Sequence, residues 1–228
     1  MDGRRIFLAI DISDAARTVC SSHIDALRTE FPQVRVGWER PEKLHITLKF
    51  LGPTSDETLV ELDRRLTSVA ARYRAFRLKL GASGSFPEKG KPRVLWIGID
   101  EATDDLRRLQ NEVEQVCVSL DYEPEDKSFH PHITIGRVRD PRDSLAVVEA
   151  HRATPIEAVE FEVRSVAIYE SKLLPTGSVY SKISMLSLTA SPAKQVSLGT
   201  PADNCGMADA TGTQASPPAM SAKHEKRD

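Results

Sequence analysis

The chain has 228 residues, of which 40% are hydrophobic, so it is long enough to bury one substantial core. Its 31 Lys and Arg residues nearly balance its 33 Asp and Glu residues, and the formal net charge is −2. This balance excludes a protein that coats nucleic acid with a strongly basic surface, while a local basic cleft stays compatible with it. No stretch approaches the roughly 20 apolar residues that cross a bilayer, and the widely spaced cysteines suit a reducing compartment. We therefore expect a soluble, cytoplasmic monomer.

The first half of the chain alternates strand and helix patterns. RIFLAIDI at 5–12 predicts a strand, and 13–31 predicts a helix, because a Ser or Asp cap precedes apolar residues at helical spacing. LHITLKF at 44–50 predicts a second strand, followed by a helix at 55–73 and a third strand, AFRLKLGAS, at 75–83.

The second half repeats this plan. Predicted strands at 93–100 and 130–137 alternate with predicted helices at 103–120 and 141–152, and further strand patterns follow at 156–171 and 179–188. The motif His45-Ile46-Thr47-Leu48 returns as His132-Ile133-Thr134-Ile135, at an offset of 132 − 45 = 87. Asp11 and Asp100, which end equivalent strands, give 100 − 11 = 89, so one internal duplication explains both offsets.

This duplication predicts an α+β fold with two lobes related by a pseudo-twofold axis. Each lobe is expected to be an antiparallel sheet with helices packed on its outer face. We assign the bilobal domain to 1–189. Residues 190–228 have almost no large apolar side chains and many Pro, Ser, Thr, Ala and Gly, which predicts a disordered, low-complexity tail.

The duplicated motif places a histidine and a threonine on one face of each strand. Side chains two residues apart in a strand point to the same side, so His45 projects with Thr47 and His132 projects with Thr134. If the lobes face each other, two imidazoles and two hydroxyls converge in one cleft. That set suits acid–base chemistry on a phosphodiester, with one imidazole as base, the other as acid, and no metal required.

A structural role and a metal site are the alternatives to acid–base chemistry for this motif. The duplication could have copied a structural strand, although a buried histidine without a partner costs about 1 to 3 kcal/mol. For a metal site, His130 and His132 form a His-x-His pair that could bind the ion with His45 as a third ligand. Pro131 interrupts a regular strand there, however, and no nearby Cys completes a recognisable spacing.

Several segments between 4 and 188 resemble those of the two-histidine (2H) phosphoesterases, in particular the LigT-like RNA 2′,3′-cyclic phosphodiesterases, also called 2′-5′ RNA ligases. The segments that carry the resemblance are RIFLAID, RPEKLHITLKFLG, GSFPEKGKPRVLWIGI, FHPHITIGRV and VAIYESKLLPTGSVYSKI. The resemblance implies a bilobal fold with both motifs in a central cleft. It also implies metal-independent opening of 2′,3′-cyclic phosphate ends of RNA, without a cofactor, to a monoester that we expect at the 2′ position.

By the same resemblance, His45 would be the proton donor to the leaving ribose oxygen and His132 the proton acceptor from water. Thr47 and Thr134 would hold the phosphate oxygens. Reverse joining of ends in a 2′-5′ linkage is also implied. The same residues fit two alternatives: a phosphodiesterase for a small cyclic nucleotide or a nucleotide-sugar cyclic phosphate, and a non-catalytic RNA-end binding protein.

Four further residues are weaker candidates. Arg137 matches an Arg that often follows the second motif of the family and could bind the phosphate, but regular strand alternation puts it opposite His132 unless a bulge intervenes. The same alternation predicts that Lys49 shares the face of His45. Phe129 and Phe86 are candidates for stacking on a base, with core packing as the alternative.

Overall fold

A computed structural model of the protein describes residues 3–100, 103–140, 144–175 and 177–190. Its strands are β1 (Arg4–Asp11), β2 (Val36–Trp38), β3 (His45–Thr54), β4 (Phe76–Phe86), β5 (Val94–Asp100), β6 (His132–Val138), β7 (Glu160–Val163), β8 (Ser165–Leu174) and β9 (Gly177–Ser187). Its helices are α1 (Asp14–Glu30), α2 (Asp56–Ala70), α3 (Asp104–Val118) and α4 (Leu145–Ala153), with a 3-10 turn at Pro41–Lys43. The predicted tail, apart from its first residue, lies outside the described residues.

The first three helices begin where a hydroxyl side chain caps them. Ser13, Ser55 and Thr103 each accept a hydrogen bond from the backbone N–H three residues later, which satisfies one of the free donors of the first turn. Each helix then buries one apolar face in a single core that it shares with the sheet. Among the described residues, no helix combines the length and apolar character needed to span a membrane.

The strands form one antiparallel sheet in the order β7-β4-β5-β6-β3-β1-β8-β9, with β2 paired to β6. The two motif strands, β3 and β6, are neighbours at its centre, where Ile46 pairs with Ile133. These two residues occupy the same position in the two copies of the motif. The predicted pseudo-twofold relation therefore passes between the motif strands.

Each half of the sheet takes elements from both halves of the sequence. β4 lies beside β5 and β6, whereas the C-terminal strands β8 and β9 extend the half that contains β1 and β3. The helices also mix the two halves of the sequence. Helix α1 of the first half packs with α4 of the second half near β6 and β7, and α2 packs with α3 near β3 and β9. The exchange makes the two lobes one unit with a continuous core.

The sheet curls strongly, as the chain between β7 and β8 demonstrates. Only Arg164 separates these strands, yet β7 is an edge strand of one half and β8 lies in the other. The segment predicted as strand at 156–171 thus contains two strands that pair with different partners. The residue that follows β9 contacts this connection between β7 and β8, because the Leu188 N–H donates to the Arg164 carbonyl at 2.8 Å. The result is a curled half-barrel with helices on its outer faces.

Candidate active site

The motif strands bring all four predicted side chains to one pocket. His45, Thr47, His132 and Thr134 line a cavity of about 170 Å³ on the face of the sheet opposite the core. The intervening Ile46 and Ile133 are fully buried. The alternation predicted for the two His-x-Thr segments is therefore present in both strands.

A β-bulge follows each motif at the equivalent position. Opposite β1, the pairing of Thr47 and Lys49 skips Leu48, and opposite β5 the pairing of Thr134 and Gly136 skips Ile135. A bulge inserts one extra residue, so every later side chain of that strand changes face. The bulges decide which of the residues beyond the motifs reach the pocket.

Arg137 reaches the pocket because of the second bulge. It lines the cavity with half of its side chain exposed, and its Nε lies 3.8 Å from a carboxylate oxygen of Glu39. Its positive charge lowers the pKa of both His45 and His132. Arg137 is thus placed to compensate negative charge in the cavity.

The expectation for Lys49 was wrong for the same reason. Instead of sharing the face of His45, the Lys49 side chain is 4% exposed, and its Nζ donates to Glu114 Oε1 at 2.7 Å and to the Glu123 carbonyl at 2.9 Å. The first bulge turns Lys49 into the core side of the sheet. Phe50 takes the pocket face in its place.

Backbone carbonyls fix the orientation of both imidazoles. His45 Nδ1 donates to the Lys43 carbonyl at 2.6 Å, and His132 Nδ1 donates to the His130 carbonyl at 2.8 Å. Both acceptors lie two residues before the histidine, so the duplication preserved this contact as well. Because a carbonyl only accepts, Nδ1 carries the proton and Nε2 is left for chemistry in the pocket. His45 Nε2 lies 3.1 Å from Thr47 Oγ1.

A carboxylate lies close to His45, on the neighbouring strand. Asp11 pairs with His45 across β1 and β3, and it accepts from the Tyr169 hydroxyl at 2.5 Å and from Lys182 at 2.6 Å. Burial lowers the pKa of His45, while the Lys43 carbonyl and the Asp11 carboxylate act in the opposite direction. Asp11 thereby favours the imidazolium form of His45.

His132 sits among aromatic rings instead. Phe86 meets it edge to face at 5.1 Å between ring centroids, and Trp96 is at 6.2 Å. Burial lowers the pKa of His132, the His130 carbonyl raises it, and the neighbouring His130 and Arg137 lower it. These surroundings favour the neutral imidazole, which can accept a proton.

The two predicted stacking residues have different positions. Phe86 lines the pocket beside His132, whereas Phe129 is half-buried against the core and is not among the lining residues. The exposed aromatic ring of the pocket is Phe50, which is 67% exposed. Phe50 corresponds to Arg137, since 137 − 50 = 87, so aligning the two copies of the motif would have identified it.

The opposite rim carries side chains that sequence reasoning missed. Tyr180 of β9 lines the pocket and meets the His45 ring edge to face at 5.7 Å. Lys43 also lines it, with Nζ 5.5 Å from the Tyr180 ring centroid and a hydrogen bond to the Ser178 carbonyl. No sequence pattern links β9 to β3, because their proximity comes from the exchange of strands between the lobes.

The suggested metal site finds no support in the donor geometry. His130 and His132 have ring centroids 6.2 Å apart, and His130 packs against Trp96 at 4.8 Å. In the described ranges, no three His, Cys, Asp or Glu side chains cluster closely enough to hold a metal ion.

Comparison with known proteins places this geometry in a family. A sequence model of the 2'-5' RNA ligase superfamily matches residues 15–173. An RNA 2',3'-cyclic phosphodiesterase of Archaeoglobus fulgidus is 35% identical over 181 residues, which cover 78% of this chain and 97% of the relative. The enzyme of the same description from Aeropyrum pernix is 36% identical over 143 residues, which cover 62% of this chain and 80% of the relative.

A solved structure shares the fold. The crystal structure of Escherichia coli LigT complexed with 3'-AMP superposes with a TM-score of 0.62 at 26% identity, covering 82% of this chain and 99% of that chain. The curled sheet with helices on its outer faces is thus shared with this solved structure. The chain belongs to the 2′-5′ RNA ligase superfamily of two-histidine phosphoesterases.

Proposed function

We propose that the protein is an RNA 2′,3′-cyclic phosphodiesterase that opens the cyclic phosphate at the 3′ end of an RNA or oligonucleotide to a phosphomonoester. One observation carries the proposal: two imidazoles, each held by a carbonyl at Nδ1, share one small pocket with two threonines and an arginine. The relatives described as RNA 2',3'-cyclic phosphodiesterases support the same activity.

In the proposed reaction His132 acts as general base and His45 as general acid. His132 Nε2 takes a proton from water while the water oxygen bonds to phosphorus. The bond from phosphorus to the ribose O3′ breaks, and the His45 Nε2 proton passes to that oxygen. The product is a 2′-phosphomonoester with a free 3′-hydroxyl. Each proton transfer contributes on the order of 10²- to 10⁴-fold to the rate.

The surroundings of the two rings support this direction of proton flow. Asp11 favours the protonated form of His45, which an acid needs. Burial lowers the pKa of His132, and among the described residues no carboxylate opposes this as Asp11 does for His45, which favours the neutral form that a base needs. The motifs alone are nearly symmetric, so the assignment depends on these neighbours.

Thr47, Thr134 and Arg137 are the proposed phosphate ligands. The hydroxyls can donate to the non-bridging oxygens, and the Arg137 guanidinium can compensate the charge that grows on them in the transition state. Phe50 and Phe86 are proposed to contact the terminal nucleoside, because aromatic faces commonly stack on unpaired RNA bases.

The same groups could run the reaction backwards and join two ends through a 2′-5′ linkage, because each acid becomes a base in reverse. We propose that a single chain, without a second copy, catalyses the reaction in either direction. The presence of both motifs in one pocket of one chain supports this proposal. None of these steps requires a cofactor.

The position of the phosphate in the product tests the proposed step. An oligoribonucleotide with a 2′,3′-cyclic end is incubated with the protein, and the product is compared with authentic 2′- and 3′-phosphate standards by chromatography. We expect the 2′-monoester alone. A 3′-monoester would contradict O3′ as the leaving group, and an unchanged substrate would contradict the activity itself.

A further inference from the structure

Beyond Phe86, the β4–β5 hairpin beside the pocket has no part in the proposed reaction. Its loop, residues 87–93, runs from Phe86 to Val94, which both line the pocket. The Arg93 N–H donates to the Phe86 carbonyl at 2.8 Å and closes the base of the loop. The loop sequence PEKGKPR has three cations and one carboxylate, a net charge of 3 − 1 = +2. Positive charge is therefore concentrated at the mouth of the pocket.

Within the described residues, the three loop cations have no carboxylate partner. Lys89, Lys91 and Arg93 are exposed, and in the part of the chain that the structure describes none of their side chains makes a hydrogen bond or an ion pair. The cations inside the pocket differ, because Arg137 faces Glu39 and Lys43 is held by the Ser178 carbonyl. The loop cations are therefore available to bind an anion outside the pocket, whereas Arg137 is proposed to bind the phosphate inside it.

A groove of about 330 Å³ continues from this loop. Ser83, Lys89, Trp96 and Arg152 line it together with Glu88, the carboxylate of the loop. The Trp96 side chain is 8% exposed, and its Nε1–H has no hydrogen-bond partner among the described residues. The groove thus combines two cations, a hydroxyl and an unpaired buried donor.

Aromatic rings connect the groove to the pocket. Trp96 of the groove and Phe86 of the pocket are 5.2 Å apart between ring centroids. Arg152 fixes the loop from the groove side, donating to Ser85 Oγ at 2.8 Å and to the Glu88 carbonyl at 2.9 Å. A chain leaving the pocket over Phe86 would meet the loop cations directly.

We propose that the loop 87–93 and this groove bind single-stranded RNA upstream of its cyclic end, with backbone phosphates on Lys89, Lys91 and Arg93. The inference rests on the proposed function and specifies its substrate class as oligonucleotides. The catalytic pocket, at about 170 Å³, is smaller than the roughly 300 to 1,000 Å³ of sites that enclose a drug-sized ligand. RNA beyond the terminal nucleotide must therefore lie on the surface around it.

Salt dependence of binding tests this surface. Each cation that neutralises a phosphate of a single strand contributes about −0.7 to the slope of log K against log salt concentration. Replacing Lys89, Lys91 and Arg93 with alanine should therefore make the slope shallower by about 2, since three cations are removed. The probe is a fluorescein-labelled single-stranded RNA of ten nucleotides that ends in a 2′-phosphate, and fluorescence anisotropy of the full chain reports binding.

The matched control removes three exposed arginines distant from the pocket. Arg74 lies just before β4, Arg77 lies at the start of β4, and Arg107 lies on α3. Their joint replacement by alanine should leave the slope unchanged. The loop variant should also hydrolyse a 2′,3′-cyclic mononucleotide at the wild-type rate, because its pocket is intact.

The outcomes separate the two proposals. An unchanged slope in the loop variant, or an equal change in the control, would overturn the inference about the loop. A wild type that binds the RNA through the loop but opens no cyclic phosphate would contradict the proposed function and leave the binding surface supported.

Discussion

At the residue scale, the two imidazoles differ mainly in the charge behind them. His45 has the Asp11 carboxylate across the strand pair, His132 has His130, and Arg137 acts on both rings. Burial lowers the pKa of both rings, and the Asp11 carboxylate partly offsets this for His45. This difference supports the proposed roles, with His45 as the acid and His132 as the base.

Asp11→Asn should change the pH profile in a defined direction. Loss of the carboxylate lowers the pKa of His45 further, so the acid is deprotonated at a lower pH, and the alkaline limb of kcat/KM should move to lower pH. The profile is measured on a cyclic phosphate substrate. Tyr169→Phe keeps the carboxylate and should keep the limb, and an unmoved limb in the folded Asp11→Asn variant would remove Asp11 from this role.

At the element scale, the two bulges decide which side chains line the pocket. They turn Arg137 and Phe50 toward it and send Lys49 into the protein beside Glu114. The alternation of side chains between the two faces of the sheet is regular in β3 and β6 only as far as the threonine of each motif. A bulge leaves no residue signature in these sequences, so the sequence alone could not place the residues that follow it.

Two methionine substitutions separate the effects of the bulges. Lys49→Met leaves Glu114 without its partner, so the free energy of unfolding should fall by roughly 3 kcal/mol while kcat/KM of the folded protein stays within about twofold. Arg137→Met should do the reverse, lowering kcat/KM by about 10- to 100-fold with little effect on stability. Denaturant titration and steady-state kinetics measure both variants.

Each variant is the control for the other, because both remove a cation at nearby positions of equivalent strands. A loss of activity in folded Lys49→Met, or full activity in Arg137→Met, would contradict the bulge geometry.

A buried histidine pair connects the helices α1 and α4 with the sheet. His23 Nε2 donates to His151 Nδ1 at 2.8 Å, and His151 Nε2 donates to the Gly84 and Trp96 carbonyls at 3.0 and 3.1 Å. These bonds use the neutral form of both rings. Burial, and then the charge of His151, lower the pKa of His23 to about 4.

This pair should make the protein sensitive to acid. A histidine whose pKa falls from 6.5 to about 4 on folding gives its full stabilisation above pH 6.5 and loses it as the pH falls toward 4. His23→Gln keeps a donor for His151 but does not titrate. Thermal unfolding at pH values from 7.5 to 4.5 should therefore show a shallower loss of Tm in His23→Gln than in wild type, and parallel curves would contradict this role.

At the scale of the whole molecule, the internal duplication was the most informative feature of the sequence. The His-x-Thr repeat predicted the pseudo-twofold relation and the convergence of His45, Thr47, His132 and Thr134 in one cleft. It did not predict that the two motif strands are neighbours in one sheet. The exchange of strands between the halves was not predictable, because local sequence does not specify a distant partner. For that reason Tyr180 was missed.

The most direct test of the two-histidine mechanism is hydrolysis of an oligoribonucleotide with a 2′,3′-cyclic phosphate end in the presence of EDTA. Wild type is compared with His45→Ala and His132→Ala, after thermal unfolding has established that all three are folded. We expect wild-type turnover to survive EDTA and each variant to lose about 10²- to 10⁴-fold. Turnover abolished by EDTA, or a variant within tenfold of wild type, would contradict the mechanism.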